Sequence, residues 1–271
     1  MRTLVLPVYR RCNQACVFCA VADELDGSPV PPASLREAID GARARGFDSV
    51  CLTGGEPTLA PQLIRALAYA HGIGLHTAIS TNGRLLADVE KVKRLEATGL
   101  DAVHVALHAA TPGVHQDLTG GDPIAHEQVV TALRHCVPRF HTTVRMVLTT
   151  RNLDEVTGVC ALARELGVHR VDLRCVRHEG ATASGLVPTP QQALDAWRTA
   201  WSAWAQPGGD FAWHGFRSVS PAEATPQPPS TPARDRLALL EAGLVDEALL
   251  GGLSDVEERL APELVAATGV G

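Results

Sequence analysis

CNQACVFC, residues 12–19, sets Cys12, Cys16 and Cys19 in one short loop directly behind an apolar run, Thr3 to Val8. This six-residue run, too short for a helix and followed by Arg10 and Arg11, reads as a strand. Three thiolates in the spacing CxxxCxxC can hold three corners of a cubane iron-sulfur cluster and leave the fourth iron without a protein ligand. An iron left open in this way can bind a reactant. Zinc is the competing reading, since CxxC pairs bind it. A structural zinc site wants a fourth ligand close by, and the best histidine, His71, stands far along the chain in a helical pattern. Phe18, immediately before the third cysteine, suits a cluster shielded on one side by an aromatic ring.

Outward from that loop, short apolar runs alternate with longer helical patterns as far as Val176. Strands are expected at Thr3–Val8, Asp48–Thr53, Leu75–Ser80, Ala102–Leu107, Thr142–Thr149 and Arg170–Val176. Helices are expected over about 34–45, 60–71, 85–98, 123–136 and 152–166. Ser34 with Glu37 forms a capping-box signature, and Gly46, Gly72, Gly99 and Gly167 fall where helices should stop. Repeated βα units demand a parallel sheet, because each helix must carry the chain back before the next strand can align. The fold class is therefore α/β, a partial (β/α)6 TIM-type barrel or an open wound sheet.

A Trp-bearing helix follows over about 189–205, with Trp197, Trp201 and Trp204 on one face, suited to packing on the barrel rather than to a partner. Residues 218–233, SVSPAEATPQPPSTPA, read as a linker between a barrel domain at 1–217 and a helical tail at 234–271. In the tail, short helices are expected over about 234–249 and 254–267.

Two further turns stand where chemistry would gather. LTGGEPT, residues 52–58, follows the second strand: its glycines admit close approach to the backbone, Glu56 can accept hydrogen bonds from a cation and Pro57 fixes the turn. STNG, Ser80 to Gly83, follows the third, and alone would serve as a helix-entry turn capped by Asn82 or Thr81. With His108 after strand four, four polar clusters follow four successive strands. They meet at the carboxyl rim, where parallel barrels carry their active sites.

CNQACVFC together with LTGGEPT, and more weakly STNG, resembles the radical S-adenosylmethionine (SAM) enzymes over roughly residues 3–176. The resemblance implies that Cys12, Cys16 and Cys19 ligate a 4Fe-4S cluster whose unique iron chelates SAM. Gly54, Gly55, Glu56 and Pro57 then engage the SAM amino group, Phe18 lies beside adenine, and Ser80 and Asn82 touch the methionine or ribose part. It implies one-electron cleavage of SAM and hydrogen abstraction from substrate, with an electron donor such as flavodoxin or ferredoxin. Strand four departs from the pattern: many relatives carry a serine that reaches SAM, where this chain has Ala106.

Strand alternation puts His104, Ala106 and His108 on one face, and Arg145 with Thr149 on one face of strand five. If those faces point inward, His108 and Arg145 are the candidates for contact with substrate or the SAM carboxylate. Asp172 and Arg174 share a face of strand six and can pair, and His115 and Asp117 lie in the loop after His108. Cys51, Cys136, Cys160 and Cys175 are scattered and read as packing residues. With no cysteine after 175, no auxiliary cluster is expected, and with strand one at the start no amino-terminal domain is expected.

With 271 residues and 45% hydrophobic content the chain can bury a real core. A net charge of −6 with interspersed acids excludes a general nucleic-acid or membrane-surface binder. No apolar stretch reaches the roughly 18 residues of a membrane span. A cytoplasmic protein is expected, its odd count of seven cysteines fitting a reducing compartment. Two functions follow: a radical SAM enzyme acting on a peptide or small metabolite, or a non-catalytic metal-binding or redox-sensing barrel with a structural three-cysteine site.

Overall fold

The computed structural model describes residues 2–176, 185–205, 210–214 and 256–259. The six expected strands form as β1 (Arg2–Tyr9), β2 (Ser49–Gly54), β3 (His76–Thr81), β4 (Ala102–Ala106), β5 (His141–Leu148) and β6 (Arg170–Cys175). They lie side by side in chain order, all parallel, as the partial barrel requires. Two edge strands extend this sheet. β7 (Asp210–His214) pairs with β6 and β8 (Val256–Arg259) with β1, both parallel, giving the order β7-β6-β5-β4-β3-β2-β1-β8. β8 falls inside the stretch expected to be a helix over 254–267. Its four residues are too few to bury a helical stripe, and the edge of β1 offers them a backbone ladder instead. The linker at 218–233 and the helix expected over 234–249 lie outside the described residues.

Among the described residues seven α-helices accompany the strands: α1 (Pro32–Ala44), α2 (Leu63–Gly72), α3 (Val89–Glu96), α4 (Pro112–Thr119), α5 (Ala125–Cys136), α6 (Val156–Glu165) and α7 (Pro190–Ala200). α4 turns the expected loop after β4 into a helix that contains His115 and Asp117. Only Val114 and Leu118 mark its apolar face. Its signals are the punctuation, Pro112 at the first turn and Gly120 in the left-handed conformation at the end. α1 begins two residues before Ser34 with Pro31 as its cap, so the Ser34–Glu37 signature is internal to the helix. The capping box that does form belongs to α7, between Thr189 and Gln192.

Alternation along each strand separates the core from the lumen. On β5, Val144, Met146 and Leu148 are fully buried in the core cluster shared with the helices, while Arg145 and Val147 take the other face and are half-buried. Cys136 and Cys160 are buried helical packing residues, and Cys51 is buried on β2. At the end of α7 the chain widens into a π-type turn, Trp201–Ala205. Trp204 is buried there, and Trp197 and Trp201 stack with ring centroids 5.7 Å apart. No helix among the described residues is long and apolar enough to cross a membrane.

β1 and β2 meet at their carboxyl ends more closely than side chains permit. The Gly55 amide donates to the Tyr9 carbonyl at 2.7 Å and the Glu56 amide to the Arg11 carbonyl at 2.8 Å. A Cβ on Gly54, whose φ is +127°, would lie 2.4 Å from the Tyr9 carbonyl oxygen, and one on Gly55 2.4 Å from that of Arg11. What the two glycines admit is thus the chain's own backbone, the segment leading into the cysteine loop. Gly54→Ala is expected to cost more than about 3 kcal/mol, from overlap plus an unfavourable φ. Gly41→Ala, in α1 with nothing within 4 Å of its Cβ position, should instead stabilise by about 0.5–1 kcal/mol. Urea midpoints of the two variants check the pair, and near-equal values would refute the close-approach account.

Candidate active site

The cysteine loop is tied down from three directions. From β1 and β2 come the backbone bonds at Tyr9 and Arg11. From α4, the carbonyls of Leu118 and Thr119, left over at a helix carboxyl end, accept the amides of Val17 at 3.0 Å and Ala15 at 2.9 Å. Gly120 makes this possible, since a Cβ there would sit 2.3 Å from the Ala15 carbonyl oxygen. From the turn after β3, Asn82 Nδ2 donates to Asn13 Oδ1 at 2.7 Å and approaches Cys12 Sγ at 3.8 Å. Arg84 Nη1 donates to the Asn13 carbonyl at 3.0 Å, while its other nitrogens hold Gln128 and Asp122.

Cys12, Cys16 and Cys19 are all half-buried and near enough to feel one another's charge. Burial, then the charges of Cys12 and Cys19, push the Cys16 thiol up to about 12. Burial also raises Cys12, with Glu56 and Cys19 adding to it against the Gln14 and Asn82 donors. Cys12 and Cys16 are thus held as neutral thiols, and become thiolates only against a cationic core. Among the described residues no three Cys, His, Asp or Glu side chains converge closely enough to chelate a single ion. A cubane gives each thiolate its own iron and needs no such convergence. The soft, all-sulfur donor set fits iron-sulfur chemistry.

Glu56 is fully buried, and its carboxylate joins two of the turns at the rim. Oε1 accepts from the Thr58 amide at 2.9 Å, the Thr58 hydroxyl and the Thr81 hydroxyl at 2.6 Å, and Oε2 from the Asn82 amide at 2.7 Å. Burial raises its pKa and these four neutral donors oppose the rise. The expectation that Glu56 meets a cation is thus answered by a structural role: its hydrogen bonds hold the turn after β2 against the turn after β3.

Ser80 and Arg145 share the lumen. Arg145 Nη1 donates to Ser80 Oγ at 3.2 Å and Nε to Asp172 Oδ2 at 3.0 Å, and Arg174 Nε reaches the same oxygen at 3.0 Å. The expected pairing on β6 is therefore present, with Arg145 as its third member.

His108 is buried at the end of β4. Its Nδ1 accepts the Val147 amide at 3.2 Å, its carbonyl accepts Asn152 Nδ2 at 2.8 Å, and its ring meets Phe18 edge-on at 4.7 Å between centroids. His115 stacks behind it at 5.9 Å and His126 follows at 5.6 Å. Burial first, then the neighbouring His115, lowers the His108 pKa to about 3, and burial with His126 lowers His115 to about 4. Both rings are neutral at physiological pH and buttress Phe18.

Residue patterns alone leave out Arg84, Asn13, Asn152 and Glu155. Glu155 accepts the amides of Ala110 and Thr111 at 2.8 Å each and so fixes the entry to α4. Arg84 does carry a signal, because a cation in the first turn after STNG opposes the helix dipole and implies a tertiary partner.

The family model for the radical SAM superfamily matches residues 6–170. The chain belongs to the radical SAM superfamily. This is a family of enzymes that use a 4Fe-4S cluster and SAM, and membership sets aside the non-catalytic reading. A PqqA peptide cyclase from Ruegeria pomeroyi is 30% identical over 207 residues, covering 74% of this chain and 55% of that protein. A probable GTP 3',8-cyclase from Saccharolobus solfataricus is 29% identical over 177 residues, covering 64% and 56%. The chain thus spans a little over half the length of these curated relatives. Streptococcus suis SuiB bound to S-adenosylmethionine superposes with a TM-score of 0.68 at 18% identity, covering 79% of this chain and 50% of that one. Native anSMEcpe with bound AdoMet gives a TM-score of 0.62 at 15% identity, covering 79% and 64%. These two likenesses establish the fold.

Two outcomes are expected. Arg84→Leu should keep the far-ultraviolet spectrum of the wild type but bind less iron and sulfide on anaerobic reconstitution, because the Asn13 carbonyl loses its donor. In acid, an unfolded chain protonates its histidines below about pH 6.5 while His108 and His115 refuse protons down to about 3 and 4. Stability then falls as pH drops from 6.5 toward 4, by about 2 kcal/mol per histidine at pH 5. His115→Phe, which keeps a ring in the stack, should make that slope shallower by one proton in urea titrations at pH 7 and pH 5.

Proposed function

We propose that this chain reductively cleaves SAM and abstracts a hydrogen atom from a peptide substrate at the carboxyl rim of the barrel. The observation that supports the reading most is the three-way anchoring of the cysteine loop onto the GGEP turn, the STNG turn and the end of α4, in a chain of the radical SAM family. The peptide class is favoured by the Ruegeria relative's name; a small metabolite, as the GTP 3',8-cyclase name suggests, is the second reading. When bound, the cluster and SAM supply the electron and the radical that takes the hydrogen.

The chain's own residues then bind, orient and exclude water. Cys12, Cys16 and Cys19 hold the cluster. With the Gly55 and Glu56 amides used by Tyr9 and Arg11, what the Gly54–Pro57 turn can offer an ammonium is its carbonyl oxygens, acceptors of the right sign for the SAM amino group. Glu56 keeps that turn in place from beneath. Phe18, backed by His108, presents a ring face for adenine. Arg145, held by Asp172, aims a guanidinium toward Ser80, so a carboxylate of SAM or substrate can dock against the pair. Asn82 acts through the cysteine loop, its side-chain amide being engaged with Asn13 and Cys12. His108, its Nδ1 engaged, serves as a wall rather than a proton carrier. The reducing electron comes from a flavodoxin or ferredoxin.

Reconstituted anaerobically and reduced with dithionite, the protein should convert SAM to 5'-deoxyadenosine and methionine, and Cys16→Ala should give none. Arg145→Ala should raise the KM for SAM or for the peptide about tenfold or more, about 1.4 kcal/mol of lost binding. The ligand whose KM moves is the one whose carboxylate it holds. A wild-type protein that assembles the cluster yet leaves SAM intact would overturn the proposal.

A further inference from the structure

Gln14 lies between the first two cysteines, and its side chain is poorly provided for without a cluster. Its amide nitrogen Nε2 has no solvent exposure and no hydrogen-bond partner. Its Oε1 accepts the thiol hydrogen of Cys16, with sulfur and oxygen 3.8 Å apart, and its backbone amide donates to Cys12 Sγ at 3.4 Å. A buried amide donor without an acceptor costs about 1–3 kcal/mol. A loop anchored as firmly as this one could avoid that cost with any apolar side chain.

Iron changes the account. A cysteine sulfur bound to iron has no hydrogen to donate and can only accept, so Oε1 would then face an electron-rich sulfur. A half-turn of the terminal amide about its last bond brings Nε2 to the same point and replaces a repulsion with an N–H···S hydrogen bond. We propose that Gln14 is a positioning and tuning residue whose side-chain amide donates to the Cys16 sulfur, or to the inorganic sulfide beside it, in the loaded protein. Hydrogen bonds to cluster sulfurs stabilise the more negative, reduced cluster and raise its reduction potential. Gln14 thereby eases delivery of the electron that SAM cleavage consumes. Cys12 already has two N–H donors, the Gln14 backbone amide at 3.4 Å and Asn82 Nδ2 at 3.8 Å.

The inference rests on the cluster-binding reading above, and its test separates the two. Wild type and Gln14→Leu are reconstituted, assayed for iron and sulfide per chain, and titrated with dithionite while the reduced cluster is followed by electron paramagnetic resonance. Gln14→Leu should load fully and reduce at a more negative potential. In wild-type protein labelled with 15N in the glutamine side chains, pulsed spectra of the reduced cluster should carry a 15N coupling that Gln14→Leu lacks. Equal potentials in the two proteins, or no 15N coupling in the wild type, would overturn the proposal while leaving cluster binding intact. If Gln14→Leu fails to load, the wild-type coupling alone decides it. A wild type that takes up no cluster defeats the earlier reading instead.

Discussion

One buried carboxylate orders the rim. Glu56 leaves water entirely, and burying a charge is costly unless hydrogen bonds replace its hydration. Four donors from Thr58, Thr81 and Asn82 do so. Because Thr58 follows β2 and Thr81 and Asn82 close β3, the same bonds fix two successive turns relative to each other. Asn82, held at its backbone by Glu56, then reaches Asn13 and Cys12 with its side chain. The cysteine loop thus inherits its position from a carboxylate on a neighbouring turn, and the order of dependence runs from core to turn to cysteine.

The glycines of the GGEP turn belong to the same construction. Their missing side chains let the main chains of β1 and β2 hydrogen-bond where side chains would hold them apart. This closeness fixes the segment from Tyr9 to Arg11 that leads directly into Cys12. A motif read as an opening for a ligand is, on its Cβ side, an opening for backbone, and its carbonyl oxygens remain the groups suited to a cationic amine.

Much of this is legible in the residues. Six strands and the clusters that follow them come from apolar periodicity and turn chemistry, signals that local sequence carries strongly. α4 escapes such a reading because eight residues with two apolar positions carry little periodicity, although Pro112 and Gly120 bracket it. β8 escapes it because VEER has no pattern of its own and takes its conformation from the edge of β1. In the site, the three cysteines declare themselves by residue type and spacing. Their supports do not: Arg84, Asn152 and Glu155 act through partners between 38 and 71 residues away, a separation that no local window spans. Glu56 is visible as a carboxylate, but its work as an acceptor for neutral donors depends on burial, which one motif does not reveal.

The anchoring of residues 15 and 17 on Leu118 and Thr119 also sets a timetable for the newborn chain. The last tethers of the cysteine loop, through α4 and Asp122, are translated about a hundred positions after the cysteines themselves. At about 5–20 residues per second that interval is on the order of ten seconds. Throughout it the three thiols hang on an unformed loop, open to oxidation and to stray metals. The cysteine loop therefore reaches its final geometry only after β4 and α4 have been made.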